Sequence, residues 1–145
     1  MAKETLHEAI KEMDGEMTAR FNDTFISIRA QFKEAFRELF GGGQADLVLI
    51  DPNNLLETGI EIVAQPPGKK LQSLSLLSGG ERALTAIALL FAILNTRPVP
   101  FCILDEVEAA LDESNVIRYS EYLKKYSKET QFIVITHRKG TMEGA

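Results

Sequence analysis

Phe101-Cys102-Ile103-Leu104-Asp105-Glu106 sets four apolar residues directly before two carboxylates. The run is bounded upstream by Arg97-Pro98-Val99-Pro100, so it reads as a short buried strand. A second short apolar run, Gln131–Ile135, follows. Between the two, an amphipathic pattern starts at Asp112 or Ser114 and runs to about Ser127. Strand, helix and strand at this spacing predict a parallel βαβ unit with a right-handed crossover. The fold class is therefore α/β. In open α/β sheets, ligands bind at the C-terminal ends of the strands, where Asp105 and Glu106 stand. An aspartate there can hold Mg²⁺ through its water shell, and a neighbouring glutamate can orient or deprotonate an attacking water. The plain alternative is a strand that ends in two solvated acids.

Three other short motifs surround this pair. Leu77-Ser78-Gly79-Gly80-Glu81 opens an apolar stretch that reaches Asn95. Ser78 can cap that helix, with Glu81 three residues later completing a capping box. A hydroxyl and bare backbone N–H groups at a helix start also form an anion site; an ordinary helix cap is the alternative. The helix is apolar all round and is expected to be deeply buried. Ala110-Leu111-Asp112 follows the acidic pair, and Asp112 doubles as a candidate N-cap. Thr136-His137 follows the second strand, 31 residues after Glu106, so His137 can reach the same sheet edge. The alternative is an exposed loop histidine. His7 lies in a charged helix and has no such context.

Residues 2–40 read as helix, because Leu6, Ile10, Met13, Met17, Phe21, Phe25, Ile28, Phe32, Phe36 and Leu39 recur in steps of three or four. Lys3 to Glu16 is dense in charge, as at the end of a coiled coil. Phe21 to Phe40 is rich in phenylalanine and looks like a helix entering a core. A single amphipathic surface helix is the alternative. Gly15, near the junction, permits a bend, and Gly41-Gly42-Gly43 supplies the left-handed stop. Ala45–Ile50 and Leu55–Ala64 flank Asp51-Pro52-Asn53-Asn54 and predict a β-hairpin, with Gln65–Lys70 as an exposed loop.

Composition narrows the function classes. With 145 residues, 45% hydrophobic and 26% charged, the chain can bury one core. The net charge is −5, and residues 1–43, 44–98 and 99–145 carry −2, −1 and −2. No third is basic, so this chain alone is a poor electrostatic match for nucleic acid. The single cysteine, Cys102, excludes a disulfide framework and a Cys-based zinc site and fits a reducing compartment. No signal peptide is visible. The longest apolar run, Ala83–Leu94, is short of the ~20 residues a membrane helix needs.

The order of the motifs resembles the ABC-type ATPases: signature motif at Ser78–Glu81, Walker B at Phe101–Glu106, D-loop at Ala110–Asp112 and switch histidine at His137. The wording narrows this further. Leu77-Ser78-Gly79-Gly80-Glu81-Arg82-Ala83-Leu84-Thr85-Ala86-Ile87-Ala88 resembles the structural maintenance of chromosomes (SMC) proteins, as does Asp105-Glu106-Val107-Glu108-Ala109-Ala110-Leu111-Asp112. Phe40-Gly41-Gly42-Gly43 and Ile135-Thr136-His137-Arg138-Lys139-Gly140-Thr141-Met142 add to the likeness. It is greatest to bacterial chromosomal SMC proteins of Bacillus relatives; related repair ATPases, RecN among them, share the motif order and rank second.

The resemblance implies the C-terminal lobe of an ABC-type P-loop ATPase head: a parallel βαβ core, a β-hairpin and a long N-terminal helix. Residues 1–20 would be the end of a coiled coil and residues 21–145 the lobe. No G-x-x-x-x-G-K-[ST] is present; Gly68-Lys69-Lys70 lacks the earlier glycine and the following Ser or Thr. The phosphate-binding Walker A loop would come from the N-terminal lobe of the same SMC chain. Two heads would then enclose ATP and Mg²⁺. Asp105 would hold the metal and Glu106 would activate water. Ser78, Gly79 and Gly80 would grip the γ-phosphate held by the other head, Asp112 would cross the interface and His137 would sense the γ-phosphate. The implied partners are a second SMC head as a homodimer, a ScpA-like kleisin subunit, and DNA through the full complex, with no membrane. The implied setting is the cytoplasm, at the nucleoid. The implied work is ATP hydrolysis that drives chromosome condensation and segregation, with this chain inactive alone. Two other functions compete: the head lobe of a DNA-repair ABC ATPase, and a kleisin-binding module without catalytic contribution.

Overall fold

The computed structural model describes residues 2–144. Ala2–Phe40 forms one helix, α1, unbroken through Gly15. Its two halves meet different surroundings, as the change from charge to phenylalanine predicts. Leu6, Ile10, Met13 and Met17 are exposed, whereas Phe25, Phe32, Ala35, Phe36, Leu39 and Phe40 are buried. Phe36 and Phe40 stack with ring centres 4.1 Å apart. The helix ends in a Schellman arrangement: Gly41 has φ 71°, and the Gly42 N–H donates to the Arg37 carbonyl at 3.0 Å. Gly43 is required by the next crossing, because a Cβ there would lie 2.3 Å from the Gln65 carbonyl oxygen.

The hairpin forms from β1 (Gln44–Leu49) and β2 (Ile60–Gln65), antiparallel with Gln44 opposite Gln65 and Leu49 opposite Ile60. The second strand starts later than expected, since residues 55–57 are turn and residues 58–59 are irregular rather than strand. Polar groups compete with the ladder there. Thr58 Oγ1 accepts from the Asp51 N–H at 2.8 Å, and successive turns close at Asp51–Asn54 and Asn54–Glu57. A two-residue strand that the sequence reading missed, β3 (Gln72–Ser73), pairs with β2. Arg29 of α1 grips Asp46 of β1 through two hydrogen bonds, at 2.5 and 2.7 Å, and pins the sheet to the helix.

Helix α2 (Gly79–Thr96) packs along α1 and buries Leu84, Thr85, Ile87, Ala88, Phe91 and Ala92. Burial on every side, as expected from its apolar sequence, does not occur. Leu89 is only half-buried and Ile93 is exposed, and both line an apolar cavity of 510 Å³ beside Phe21, Phe25 and Ile28 of α1.

The βαβ unit is observed as β4 (Phe101–Asp105), α3 (Glu113–Tyr126) and β5 (Gln131–Ile135). The strands pair in parallel, Phe101 with Gln131 through to Asp105 with Ile135. The expected buried strand is corrected to a half-buried one. Cys102, Leu104, Phe132 and Val134 pack on the core, while Phe101, Ile103, Ile133 and Ile135 are 47% to 58% exposed. Strand side chains alternate between faces, and among the described residues only one face of this sheet is covered. A short helix, α4 (Lys139–Glu143), follows His137 and was not expected.

Candidate functional site

The site gathers around two helix starts and the C-terminal end of the parallel sheet. Ser78 is the N-cap of α2, and its Oγ accepts from the Glu81 N–H at 3.3 Å. The same hydroxyl donates to Glu81 Oε1 at 2.6 Å, where Lys69 Nζ also binds at 2.5 Å. These two contacts, the lysine first, hold the Glu81 carboxyl below its ordinary range. The capping box is thus present, and Lys69, expected only as part of an exposed loop, joins it. Gly79 lies in open space: apart from its chain neighbours and its own helix turn, no atom lies within 4 Å of the place a Cβ would take, and its φ is not positive. Its lack of a side chain leaves the helix start open to an approaching group. A Cβ on Gly80 would stand 3.2 Å from the Ala110 carbonyl, so this glycine lets α2 approach the turn before α3.

Asp112 is the N-cap of α3. Its Oδ1 accepts from the Asn115 N–H at 2.9 Å and from Ser114 Oγ at 3.0 Å, and these bonds lower its carboxyl from the usual value. The cap and the candidate interface role fall on the same residue without conflict, because the carboxylate remains exposed.

The acidic pair splits. Asp105 ends β4 as an exposed carboxylate without an ion pair among the described residues. Glu106 turns away from the strand with φ 51°, the only non-glycine described residue with positive φ. A left-handed conformation in a residue with a side chain is strained, and such strain clusters at functional sites. It is held by a bond from the Glu106 N–H to the Ile135 carbonyl at 2.8 Å. The turn delivers Glu106 Oε1 to within 2.9 Å of His137 Nε2. The expectation that both reach one sheet edge is met in the geometry.

Beneath this pair lies a residue to which the sequence motifs assign no chemistry. Glu108 is 1% exposed. Its Oε1 accepts from Thr136 Oγ1, and Thr141 Oγ1 donates to it at 3.3 Å. Glu108 Oε2 and the Tyr119 hydroxyl are buried without a hydrogen-bond partner among the described residues. Burial first, and the Glu108 charge second, push the Tyr119 phenol up. The available signal was an acid alone within Val107–Leu111, otherwise apolar.

The donor set fits a magnesium nucleotide in part. No cluster of three or more metal-ligating side chains exists among the described residues. Mg²⁺ does not require one, since it keeps several waters and is held by one or two carboxylates together with substrate phosphates. The free carboxylate of Asp105 suits that role.

Residues 5–145 match the family model of the RecF/RecN/SMC N terminal domain. A solved structure described by ATP-driven dimerization and DNA-stimulated activation of SMC ATPases is 44% identical. It covers 88% of this chain and 78% of that one, with a TM-score of 0.83. The chain belongs to the SMC family. Chromosome partition protein Smc of Bacillus subtilis (strain 168) is 74% identical over 99% of this chain, in line with the expected likeness to Bacillus relatives. This SMC chain spans only 12% of that protein's length. The Pyrococcus furiosus Smc head domain, with an extended coiled coil and bound to the C-terminal domain of ScpA, is 44% identical. It covers 99% of this chain and 36% of that one, with a TM-score of 0.87. The expected label of a C-terminal lobe is not what these likenesses supply: the matching model is described as an N-terminal domain. What they support is a segment of an SMC head. A DNA-repair head lobe is not favoured. No described helix is long and apolar enough to cross a membrane.

Proposed function

We propose that this chain is the part of an SMC ATPase head that carries the signature motif, the Walker B acids, the D-loop and the switch histidine. The observation that carries the reading is the Glu106–His137 contact of 2.9 Å at the C-terminal end of the parallel sheet, on a strained Glu106 backbone. In this reading residues 1–20 are the end of a coiled coil and residues 21–145 the head segment. The exposed apolar stripe Leu6, Ile10, Met13 and Met17 supports that division. A lobe with a Walker A loop supplies the main phosphate cradle, and a second head completes each nucleotide site. ScpA-type kleisin and DNA, named for the similar proteins, are the further partners. The work done is ATP-driven chromosome partition at the nucleoid.

The chain's own groups then act as follows. The Asp105 carboxylate holds Mg²⁺, which when bound supplies charge to the phosphates. Glu106 takes the proton from the attacking water, and His137 Nε2 orients the Glu106 carboxylate. The Ser78 hydroxyl and the N–H groups of Gly79 and Gly80 donate to the γ-phosphate held by the partner head. The Ser78 hydroxyl must leave Glu81 to do so. Asp112 stands at the junction of the two heads.

The test combines this chain with a Walker A-bearing lobe and measures ATP hydrolysis. The chain alone is expected to be inactive and the combined head active. Glu106→Gln should keep nucleotide binding and lower turnover by about a hundredfold or more, the scale of a lost general base. Asp105→Asn should instead weaken Mg²⁺-dependent nucleotide binding. Equal turnover in the wild-type and Glu106→Gln heads removes Glu106 from the reaction.

A further inference from the structure

The turn 106–111 carries two glutamates with opposite fates. Glu106 is exposed and meets His137; Glu108 is buried and meets Thr136, the residue before that histidine. A buried carboxylate costs several kcal/mol to desolvate unless it is paired with a cation or hydrogen-bonded. Among the described residues Glu108 pairs with no cation, and one of its oxygens has no hydrogen-bond partner. An apolar residue of similar size would fill this space at lower cost, so packing alone does not explain a carboxylate here.

Its bonds explain it. Thr136 Oγ1 donates to Glu108 Oε1 and accepts from the Arg138 N–H at 3.0 Å, so Glu108 orients a hydroxyl that shapes the backbone on both sides of His137. Thr141 brings α4 to the same oxygen. On the other side, the Glu108 carbonyl accepts from the Leu111 N–H at 2.9 Å and closes the turn that leads to Asp112. The carboxylate therefore ties the turn bearing Glu106 to the loop bearing His137. Among the described residues that spacing is also set by the β4–β5 pairing, the Glu106 N–H bond to Ile135, the Glu106–His137 contact itself and the Arg138–Glu113 ion pair at 3.0 Å, which runs from the same loop to the start of α3. From the turn 106–111, only Glu108 reaches the hydroxyl next to His137.

We infer that Glu108 is a positioning residue for the hydrolytic pair, holding His137 at its distance from Glu106 through the Thr136 hydroxyl. The inference rests on the reading of Glu106 and His137 as that pair. It goes further, because no motif role is attached to Glu108 by the resemblance or by the likenesses above.

In the reconstituted head, Glu108→Ala should lower kcat about ten- to a hundredfold, the cost of a misplacement near 1 Å, with the nucleotide KM changed by less than about twofold. Glu108→Gln keeps an acceptor at Oε1 and should restore kcat to within roughly threefold of wild type. Thr136→Val removes the donor at nearly constant volume and should reproduce the loss, which covers the case in which Glu108→Ala does not fold. The double variant should be no worse than the weaker single one, since both break one tie. NMR of the His137 imidazole, read without turnover, should show shifted signals in Glu108→Ala and Thr136→Val and restored signals in Glu108→Gln. Wild-type kcat in folded Thr136→Val, unmoved histidine signals, or losses that multiply in the double variant overturn the inference. If Glu106→Gln hydrolyses ATP like wild type, the hydrolytic reading fails instead, and the histidine signals still decide whether Glu108 holds His137.

Discussion

The two ends of the candidate site are held in place by different means. At the start of α2, Ser78, Glu81 and Lys69 lie within twelve residues and form a local chain of bonds on ordinary backbone. At the end of β4, Glu106 sits on strained backbone, and its partners Ile135 and His137 arrive from about thirty residues away. The first end is a helix cap that any isolated turn of this sequence favours. The second exists only once the sheet has paired. A local end tolerates change in the rest of the fold, whereas a long-range end transmits it.

The largest expected effect separates the ends by the species they serve. In a Glu106→Gln background, Ser78→Arg should leave nucleotide affinity of the single head unchanged and weaken ATP-dependent dimerisation by about a hundredfold, as for loss of a preorganised phosphate donor. Sedimentation with and without ATP measures it. Lost affinity in the single head would mean that Ser78 acts on its own head or supports the fold.

Backbone strain gives the next contrast, with opposite signs at the two ends. At position 106, glycine should be more stable than alanine by roughly 1 kcal/mol, because the left-handed conformation penalises a Cβ. At position 79, in the first turn of a helix with open space around it, alanine should be more stable than glycine by up to about 1 kcal/mol. Urea unfolding of Glu106→Gly, Glu106→Ala, Gly79→Ala and the wild type reads both signs. The same preference at both positions would refute the strain assigned to Glu106. Gly80→Ala should gain less than Gly79→Ala, since its Cβ meets the Ala110 carbonyl at 3.2 Å.

The smallest effect is electrostatic. Lys69, then Ser78, hold the Glu81 carboxyl below its unfolded value. The stability this contributes is full above the ordinary glutamate value of about 4.3 and is lost as pH falls through the lower folded value. The pair is largely at the surface, so roughly 0.5 kcal/mol is expected. Glu81→Gln should flatten that part of the acid limb in thermal unfolding, and an unchanged pH slope would show that neither Lys69 nor Ser78 contributes there through Glu81.

Much of this was legible because its causes are local. Proline pairs, glycine runs and N-cap residues act on their own neighbours, so the ends of α1, α2 and α3 read directly from Gly41, Ser78 and Asp112. Strands β4 and β5 were legible as apolar runs of the right length. The late start of β2 was not, because the bond between Asp51 and Thr58 depends on how the loop closes. Strand β3 has two residues and no pattern of its own. Helix α2 looked fit for burial on all sides, yet apolar composition says nothing about how many neighbours are present to cover it.

Residue order and type by themselves determined an α/β chain with a βαβ unit, two capped helix starts and two acids at a strand end, since each follows from short-range sterics and hydrogen bonding. Only the tertiary structure decided that Glu106 would turn left-handed towards His137 while Glu108, two residues on, went into the core beneath Thr136. Both are acids in the same short stretch, and no propensity distinguishes them. Their difference arises when β5 pairs alongside β4: the parallel register sets Ile135 beside Asp105, the Glu106 N–H is captured by the Ile135 carbonyl, and the turn must then place one carboxylate outside and the other within.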